Sequence, residues 1–345
     1  MRKTKKLLCI VLVLALAVSL FAFPASADNS VSEADYPFVF VHGLMGWGAR
    51  SDLDPIVPYW GMTTGNLMKY LNGKGFESYA AQVGPLSGAW DRACELYAQL
   101  TGTKVDYGIV HSGEKDHDRF GITYDEPLFN GWSADKKINL IGHSFGGATI
   151  RMFLEILTNG APEEVAAAKA AGVEVSPFFE GGRGDWVYSL TAVSAPHNGT
   201  TFIEKCDIST DVVTNFMYNL GASLGVTKLK GVYDLQLEHF GIYQKDGETD
   251  LEYLIRVLND KEFMSHNDNA IYDLTIDNAL KINDGIEMQD DVYYFSVTGD
   301  ATHYSKVTKT EVPNANMFIL LKPFAQMMGG YYDKYTPGGV YIDRT

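Results

Sequence analysis

Apolar runs alternate with segments of helical spacing along most of this chain. Runs rich in β-branched and aromatic residues predict strands at 38–43, 76–83, 186–197 and 291–300. Helical spacing lies between them, at 66–75 and at a segment whose apolar residues fall at i, i+3, i+4 and i+7, namely Ala93, Leu96, Tyr97 and Leu100. Strands separated by helices pair in parallel through crossover connections. The pattern therefore predicts an α/β fold with a mostly parallel sheet covered by helices on both faces.

A single serine, Ser144, stands where a further strand meets its helix, in the segment INLIGHSFGGATIRMFLEIL (138–157). Gly142 and Gly146 flank it in the order G-x-S-x-G. In that motif the serine occupies a sharp strand-to-helix turn, and its neighbours are small because strand and helix nearly touch. The alternative is a tight turn that merely tolerates serine. A second turn, VHGLMG (41–46), ends an earlier strand and favours the functional interpretation.

The two turns together suit nucleophilic attack on an ester. Such an attack places negative charge on the carbonyl oxygen, and two main-chain amides about 3 Å away stabilise that charge. The sequence therefore predicts Ser144 as the nucleophile and the amides of Leu44 and Phe145 as the oxyanion hole. His42 stands beside this site, and we expect it to be a structural hydrogen-bonding residue rather than the catalytic base.

The first 27 residues have the pattern of a secretory signal peptide. A basic start, MRKTKK, precedes a long apolar run, and an exit of small residues ends at Ala27. An uncleaved membrane anchor is the alternative, since the run approaches the length that spans a bilayer. We expect cleavage after Ala27 and a secreted, extracellular protein, in which residues 28–345 form one domain without a further membrane span.

Charge and cysteine content narrow the class of protein further. The formal charge of the whole chain is −15, and the loss of four basic residues and no acid with the signal peptide makes it −19. Such a surface repels nucleic-acid phosphates. Only Cys94 and Cys206 follow the signal, so a disulfide scaffold is excluded. The two cysteines can pair with each other or remain as buried free thiols.

Several longer motifs are more specific than the pentapeptide: VHGLMGWG, VGPLSGAWDRACELYAQLTGTKVDYGIVH, RFGITY, GHSFGG, SAPHNGTT and VYDLQLEHFG. From about residue 36 to its end, the chain resembles the secreted zinc-containing lipases of Staphylococcus and Geobacillus. The resemblance implies an α/β-hydrolase that cleaves carboxylic esters of glycerol and related lipids at an oil–water interface. It also implies a helical lid over the site and a bound zinc ion.

The resemblance further implies the ligands of that zinc ion. The matching positions are Asp91, His111, His117 and Glu238, with the two histidines in an insertion at about 85–125. A zinc ion with four protein ligands has no open coordination position for substrate or water, so the ion would be structural rather than catalytic. Glu238 departs from the family's aspartate by one methylene group. The alternative is a solvated loop whose histidines bind no metal.

The segment at about 201–285 resembles the lid of these lipases. It carries more apolar residues than a solvent-facing loop needs: Phe202, Ile203, Val212, Val213, Phe216, Met217 and Leu220. Such side chains can simply pack on the core of the protein. A lid that opens at an oil surface requires them too, because its inner face must be covered in water.

The histidines after Ser144 do not include a convincing base. They are His197, His239, His266 and His303. Asp300 follows a predicted strand, where a generic α/β-hydrolase carries its acid. The resemblance instead implies an acid and a base, together with calcium ligands, in segments beyond Thr345. We therefore predict that the chain lacks its last strand, its catalytic acid and its base, and that its activity is near background.

Two other functions stay open at this point. A polyesterase or a short-chain carboxylesterase would use the same serine, and a comparison of rates on emulsified triglyceride and on a soluble ester separates it from a lipase. A zinc-stabilised binding protein that has lost its base would keep the fold without the activity.

Overall fold

The computed structural model describes residues 36–62, 64–205, 215, 218–219, 221–222, 225–317 and 319–329. The predicted signal peptide lies outside these ranges, as do Cys206 and the predicted lid residues 212, 213, 216, 217 and 220. The strands are β1 (Phe38–Val41), β2 (Ser78–Ala81), β3 (Lys104–Asp106), β4 (Phe120–Thr123), β5 (Ile138–His143), β6 (Val187–Val193), β7 (Tyr293–Val297), β8 (Thr302–Ser305) and β9 (Thr310–Pro313).

The α-helices are α1 (Leu67–Asn72), α2 (Ala89–Thr101), α3 (Ile109–Glu114), α4 (Gly146–Asn159), α5 (Pro162–Ala171), α6 (Thr201–Lys205), α7 (Asp250–Leu258), α8 (Lys261–Ser265), α9 (Ala270–Asp273), α10 (Ile276–Asp284) and α11 (Lys322–Gly329). Short 3-10 helices cover Pro177–Glu180, Gly184–Trp186, Glu238–Phe240 and Ile319–Leu321.

Five strands form one parallel sheet in the order β2-β1-β5-β6-β7. Every predicted strand belongs to this sheet, so the prediction of an α/β fold is confirmed. β1 and β5 are neighbours in the middle, and Val41 pairs with Gly142 at their carboxyl ends. The predicted oxyanion turn follows β1 and the predicted nucleophile turn follows β5. The topology therefore places the two turns side by side.

Helices α2 and α4 pack against each other and against the sheet in the main apolar core. The predicted apolar face of α2 is buried, since none of its four residues is more than 7% exposed. Its polar residues are buried as well, and Asp91, Arg92 and Glu95 are each at most 1% exposed. Amphipathic spacing does not predict the burial of these charged groups, whose partners lie in the two turns and in a nearby group of histidines.

Two antiparallel hairpins lie outside the central sheet. β3 pairs with β4 and, with α3, forms the excursion between α2 and β5. β8 pairs with β9 after the last strand of the sheet. The apolar pattern does not predict either hairpin, because their strands are only three or four residues long and most of their side chains are polar or partly exposed.

β7 is an edge of the sheet as far as the described residues extend, and there it pairs only with β6. Three of its side chains, Tyr293, Phe295 and Val297, are more than half exposed. An additional neighbouring element would cover such apolar surface. The predicted further strand stays a prediction.

No helix within the described ranges combines the length and apolar character that crossing a bilayer requires. Phe202 and Ile203 are partly buried, and the ring of Phe202 lies 5.3 Å from that of Phe324 in α11. Phe202 and Ile203 would be buried in a packed core segment and in a closed lid alike, so their burial does not distinguish the two alternatives. Cys94 is buried and has no disulfide partner among the described residues.

The approach of α4 to β1 predicts a steric effect at Gly146. A Cβ atom there would lie 2.2 Å from the carbonyl oxygen of Val41, a backbone atom that cannot move away alone. We expect Gly146→Ala to lower the free energy of unfolding by about 2 kcal/mol, as overpacking does. Gly113→Ala in α3 is the control, because nothing lies within 4 Å of its Cβ position. Urea unfolding should give that variant a stability equal to or slightly above wild type, and equal losses in both would contradict the steric argument.

Candidate active site and metal-binding group

The turn between β5 and α4 holds Ser144 in the left-handed backbone region, with a φ of 54°. This conformation is uncommon for a residue with a side chain and costs of the order of 1 kcal/mol. Two hydrogen bonds maintain it: the Ser144 amide donates to the carbonyl of Val193 at 2.9 Å, and its carbonyl accepts from the Gly147 amide at 2.9 Å. The backbone thus has the sharp turn that G-x-S-x-G predicts.

The glycines around the serine are required by close approaches of the backbone. A Cβ atom at Gly142 would lie 2.4 Å from the carbonyl oxygen of Gly146. A Cβ atom at Gly43 would lie 2.7 Å from Cβ of Ser144 and 3.1 Å from its hydroxyl oxygen. The turn after β1 therefore abuts the serine side chain directly.

The two amides predicted to form the oxyanion hole are free of partners within the described part of the chain. Neither the Leu44 amide nor the Phe145 amide has an acceptor there, whereas the adjacent Met45 amide donates to the carbonyl of Pro85 at 2.9 Å. Buried backbone amides are rarely left unpaired. Phe145 is buried and Leu44 lines the same cavity as Ser144, so their unpaired amides support the predicted oxyanion hole, because the developing negative charge would be their acceptor.

The Arg92 guanidinium, which is completely buried, connects the two turns. Its Nη2 donates to the carbonyl of His42, its Nη1 donates to the carbonyl of Gly84 at 2.8 Å, and its Nε donates to the hydroxyl of Thr149 at 2.8 Å. Burial lowers the pKa of Arg92 to about 10, so the group stays charged at neutral pH. His42 precedes the oxyanion turn and Thr149 belongs to α4. One cation therefore connects the residue before the oxyanion turn to the helix that follows Ser144.

A second link between the turns runs through Tyr59. Its hydroxyl accepts from the Gly43 amide at 3.0 Å and lies 2.6 Å from Nδ1 of His143. A hydroxyl can both accept and donate, so the Tyr59 oxygen can form both hydrogen bonds at once. His143, the second residue of the pentapeptide, thus has a structural partner.

His42 is completely buried and uses both ring nitrogens. Nδ1 donates to the carbonyl of Gly43 at 2.9 Å, and Nε2 accepts from the Val83 amide at 3.3 Å. Burial, together with the charge of Arg92, lowers the pKa of His42 to about 3. These contacts support the prediction that His42 is structural and not the base.

Ser144 lines a cavity of about 380 Å³. Its walls are mostly apolar, and they are formed by Leu44, Met45, Pro196, Phe202, Leu274, Leu321, Phe324 and Met328, with Ser194 and Thr200. A cavity of this size and character suits a small or extended apolar group. The acyl part of an ester has that character.

All eight histidines of the chain lie within the described residues, and none of them lines the Ser144 cavity. The four that follow the serine lie elsewhere. His197 lines a separate small cavity with Arg151, His239 contacts Asp91, His266 ends α8, and His303 is exposed on the β8–β9 hairpin. Asp300 is exposed as well, and its carboxylate accepts from Thr302. The described residues therefore leave the serine without a visible base.

Four possible metal ligands converge near the start of α2: Asp91, His111, His117 and Asp268. One ligand atom of each lies within 4.8 Å of the others. Nε2 of His111 lies 3.2 Å from Oδ1 of Asp91 and 3.0 Å from Oδ2 of Asp268. Nε2 of His117 is buried without a hydrogen bond among the described residues, although Oδ2 of Asp268 is 3.2 Å away. An unsatisfied imidazole nitrogen and two facing carboxylates fit a divalent cation.

Charges in this group depend strongly on one another. Burial alone would lower the pKa of His111, but Asp268 and Asp91 raise it to about 10. Burial alone would raise the pKa of Asp91, but hydrogen bonds from His111 and His239 hold it well below its usual range. Protonated imidazole thus neutralises the carboxylates when no ion is bound. A metal ion would displace those protons.

The predicted ligand Glu238 is not in the group, and Asp268 takes its place. Glu238 begins a 3-10 turn and lines a different cavity, of about 230 Å³, together with Glu95 and Gln236. The next residue, His239, is the one whose side chain reaches Asp91. Successive side chains in a tight helical turn point in different directions, so the neighbour of Glu238 faces the group and Glu238 does not.

No local motif marks Asp268 as a ligand. It is 157 positions from His111 in the chain and stands in a polar segment between α8 and α9. The Ala270 amide donates to the carbonyl of Leu86 at 2.8 Å, which docks this segment against the start of α2. The sequence shows only an aspartate in a polar stretch, a feature common in surface loops, so it does not identify Asp268 as a ligand.

The parallel sheet, with a serine on the turn between a central strand and its helix, defines the α/β-hydrolase class. A family described as "Lipase-like, C-terminal domain" matches residues 34–335, and the chain belongs to this family. The predicted family resemblance is thereby confirmed.

Individual relatives agree with this assignment. A lipase of Staphylococcus epidermidis is 35% identical over 311 residues, which cover 90% of this chain and 44% of the relative. The structure of EstA from Clostridium botulinum is similar with a TM-score of 0.80 and 37% identity, covering 93% of this chain and 74% of that one. The structure of lipase 1 from Pelosinus fermentans is similar with a TM-score of 0.75 and 37% identity, covering 90% of this chain and 80% of that one. The chain thus spans less than half the length of the curated staphylococcal relative.

The burial of His42 predicts a pH effect. A folded-state pKa of about 3 lies below the value of about 6.5 in the unfolded chain, so only the unfolded chain gains this proton as the pH falls below about 6.5. The neutral His42 ring makes its full contribution to the free energy of unfolding above that pH. This contribution is lost as the pH falls toward 3, by up to about 1.4 kcal/mol per pH unit. NMR titration of the ring should find it neutral at pH 5. A midpoint near 6.5 for His42 would contradict the assignment.

Proposed function

We propose that this chain carries the nucleophile-bearing part of a secreted hydrolase of carboxylic esters, with triacylglycerols as its substrate class. The observation that carries the proposal is Ser144, held in a strained turn against an apolar cavity and beside the unpaired amides of Leu44 and Phe145. Membership in the family and the lipase names of its relatives support the choice of substrate. Secretion rests on the N-terminal signal pattern.

Each part of the site has a role in this proposal. The hydroxyl of Ser144 attacks the ester carbonyl and forms an acyl-enzyme, while the alcohol leaves. The amides of Leu44 and Phe145 stabilise the oxyanion. The acyl chain occupies the cavity whose walls include Phe202 and Phe324. Apolar walls favour a fatty acyl group over a charged one.

The base and the acid are not among the groups around Ser144. Since none of the eight histidines lines the cavity, we infer that a residue beyond Thr345 supplies the base. A serine hydroxyl without its base is a poor nucleophile, and the loss of a triad member costs orders of magnitude in rate.

This proposal predicts a large difference between the chain of 345 residues and the whole gene product. We expect the whole product to hydrolyse a chromogenic ester and to lose this activity in Ser144→Ala, by at least about a thousandfold. The 345-residue chain should be near background with either residue, because none of its histidines lines the Ser144 cavity. Rates on emulsified long-chain triglyceride and on a soluble short ester then separate a lipase from a short-chain esterase.

Two results would contradict the proposal. Full activity of the Ser144→Ala whole product would remove the serine from the mechanism. Turnover by the 345-residue chain that disappears in Ser144→Ala would place the base within this chain. A whole product that folds but hydrolyses neither ester would favour the non-catalytic binding protein.

We further propose that Asp91, His111, His117 and Asp268 bind a structural zinc ion. Two carboxylates and two imidazoles are ligands that zinc accepts, and the buried, unsatisfied Nε2 of His117 supports a fit to a metal. Four protein ligands leave no open position for chemistry. The ion would join α2, the excursion that carries α3, and the segment before α9.

The choice between Asp268 and Glu238 is testable with two matched variants. We expect Asp268→Asn to weaken zinc binding by about 100-fold or more, because it removes a charged ligand. Glu238→Gln should bind zinc like the wild type, since its side chain lines a different cavity. Competition with a chelating dye at constant pH measures both affinities. A loss of binding in Glu238→Gln with none in Asp268→Asn would restore the ligand set expected from the sequence.

A further inference from the structure

We propose that His239 is a positioning residue for the metal, which holds the ligand Asp91 in the orientation that binding requires. This inference rests on the zinc site proposed above. His239 is not one of the four converging ligands, yet its ring is 4% exposed and lies against them. Its centroid is 5.1 Å from that of His117.

The two oxygens of Asp91 face different partners. Oδ1 lies 3.2 Å from Nε2 of His111 and 3.9 Å from Nε2 of His117, on the side where the ligands converge. Oδ2 lies 3.1 Å from Nε2 of His239. A carboxylate with one oxygen held by a hydrogen bond offers the other oxygen to a metal in a fixed direction.

Both ring nitrogens of His239 have a polar neighbour. A carboxylate only accepts, so the proton that links the ring to Asp91 is on Nε2. Nδ1 lies 3.4 Å from the hydroxyl of Tyr107, which in turn lies 3.0 Å from Oε1 of Glu95. Tyr107 thus contacts the other ring nitrogen, while its hydroxyl donates to Glu95, one helical turn beyond Asp91.

The backbone and neighbouring rings fix His239 in place. Its carbonyl accepts from the Asp118 amide at 2.9 Å, next to the ligand His117. The rings of Tyr107 and Phe240 lie 4.4 Å and 4.3 Å from its centroid. The ring is therefore held before any metal binds, as a residue that orients a ligand must be.

The inference predicts a loss of zinc affinity without a change of ligands. We expect His239→Phe to raise the zinc dissociation constant 10- to 100-fold, the usual range for a residue that orients a ligand. His239→Gln keeps one donor and should lose less. His303→Gln is the control, because His303 is an exposed hairpin residue, and it should bind as the wild type does. Dye competition at constant pH gives the dissociation constants.

Cobalt(II) substitution separates a positioning role from direct ligation. At saturating cobalt, His239→Phe should have the visible spectrum of the wild type, because the four direct ligands are unchanged. A different spectrum would make His239 a ligand and overturn the inference. So would an unchanged zinc dissociation constant in a folded His239→Phe protein.

Two further results keep the test decisive. If His239→Phe does not fold, Tyr107→Phe carries the test, since it removes the hydroxyl that faces Nδ1 and should weaken zinc binding about two- to tenfold. An unchanged affinity in that variant would then overturn the inference. If the wild type itself binds no zinc, the metal site fails and this inference fails with it. Wild-type binding with no effect of either variant refutes the role of His239 alone.

Discussion

The hydrogen bonds of the buried Arg92 guanidinium are the interaction on which the candidate active site depends. Arg92 donates to the carbonyls of His42 and Gly84 and to the hydroxyl of Thr149. Each carbonyl would be a buried, unpaired acceptor without it, at a cost of about 1–3 kcal/mol. Hydrogen bonds to acceptors on three separate segments therefore offset the cost of removing the guanidinium from water. As a result the turn after β1 and the helix after Ser144 stay at a fixed distance.

Helix α2 connects this arrangement to the metal-binding group. Asp91 faces the histidines, Arg92 faces the two turns, and Glu95 accepts from the Gly84 amide and from Tyr107. Burial raises the pKa of Glu95 to about 8, so this carboxyl is mostly protonated at neutral pH and adds little charge to the core. The candidate active site and the metal-binding group are thus two ends of one buried polar network. An ion bound at Asp91 would therefore contact the same helix whose Arg92 holds the turn after β1.

The serine turn and the metal-binding group differ in how they are encoded. The turn is a local structure: small residues at Gly142 and Gly146 are required by contacts that lie within a few residues or one strand away. The sequence predicts this turn because the glycines of the motif are the residues that its close backbone contacts require. The metal-binding group needs Asp268, which is brought to His111 from 157 positions away by the docking of one segment on the start of α2. No spacing along the chain encodes such a contact.

The sequence by itself determined the parallel α/β sheet and the turns after β1 and β5, because these follow from local periodicity and backbone sterics. The nucleophile role of Ser144 and the structural role of His42 stay predictions. Tertiary structure alone decided that Asp268 and not Glu238 completes the metal-binding group, that the polar face of α2 is buried, and that no histidine lines the Ser144 cavity. These facts depend on which distant segments meet. Side-chain direction in a 3-10 turn and long-range docking fix them, and neither leaves a pattern in the order of the residues.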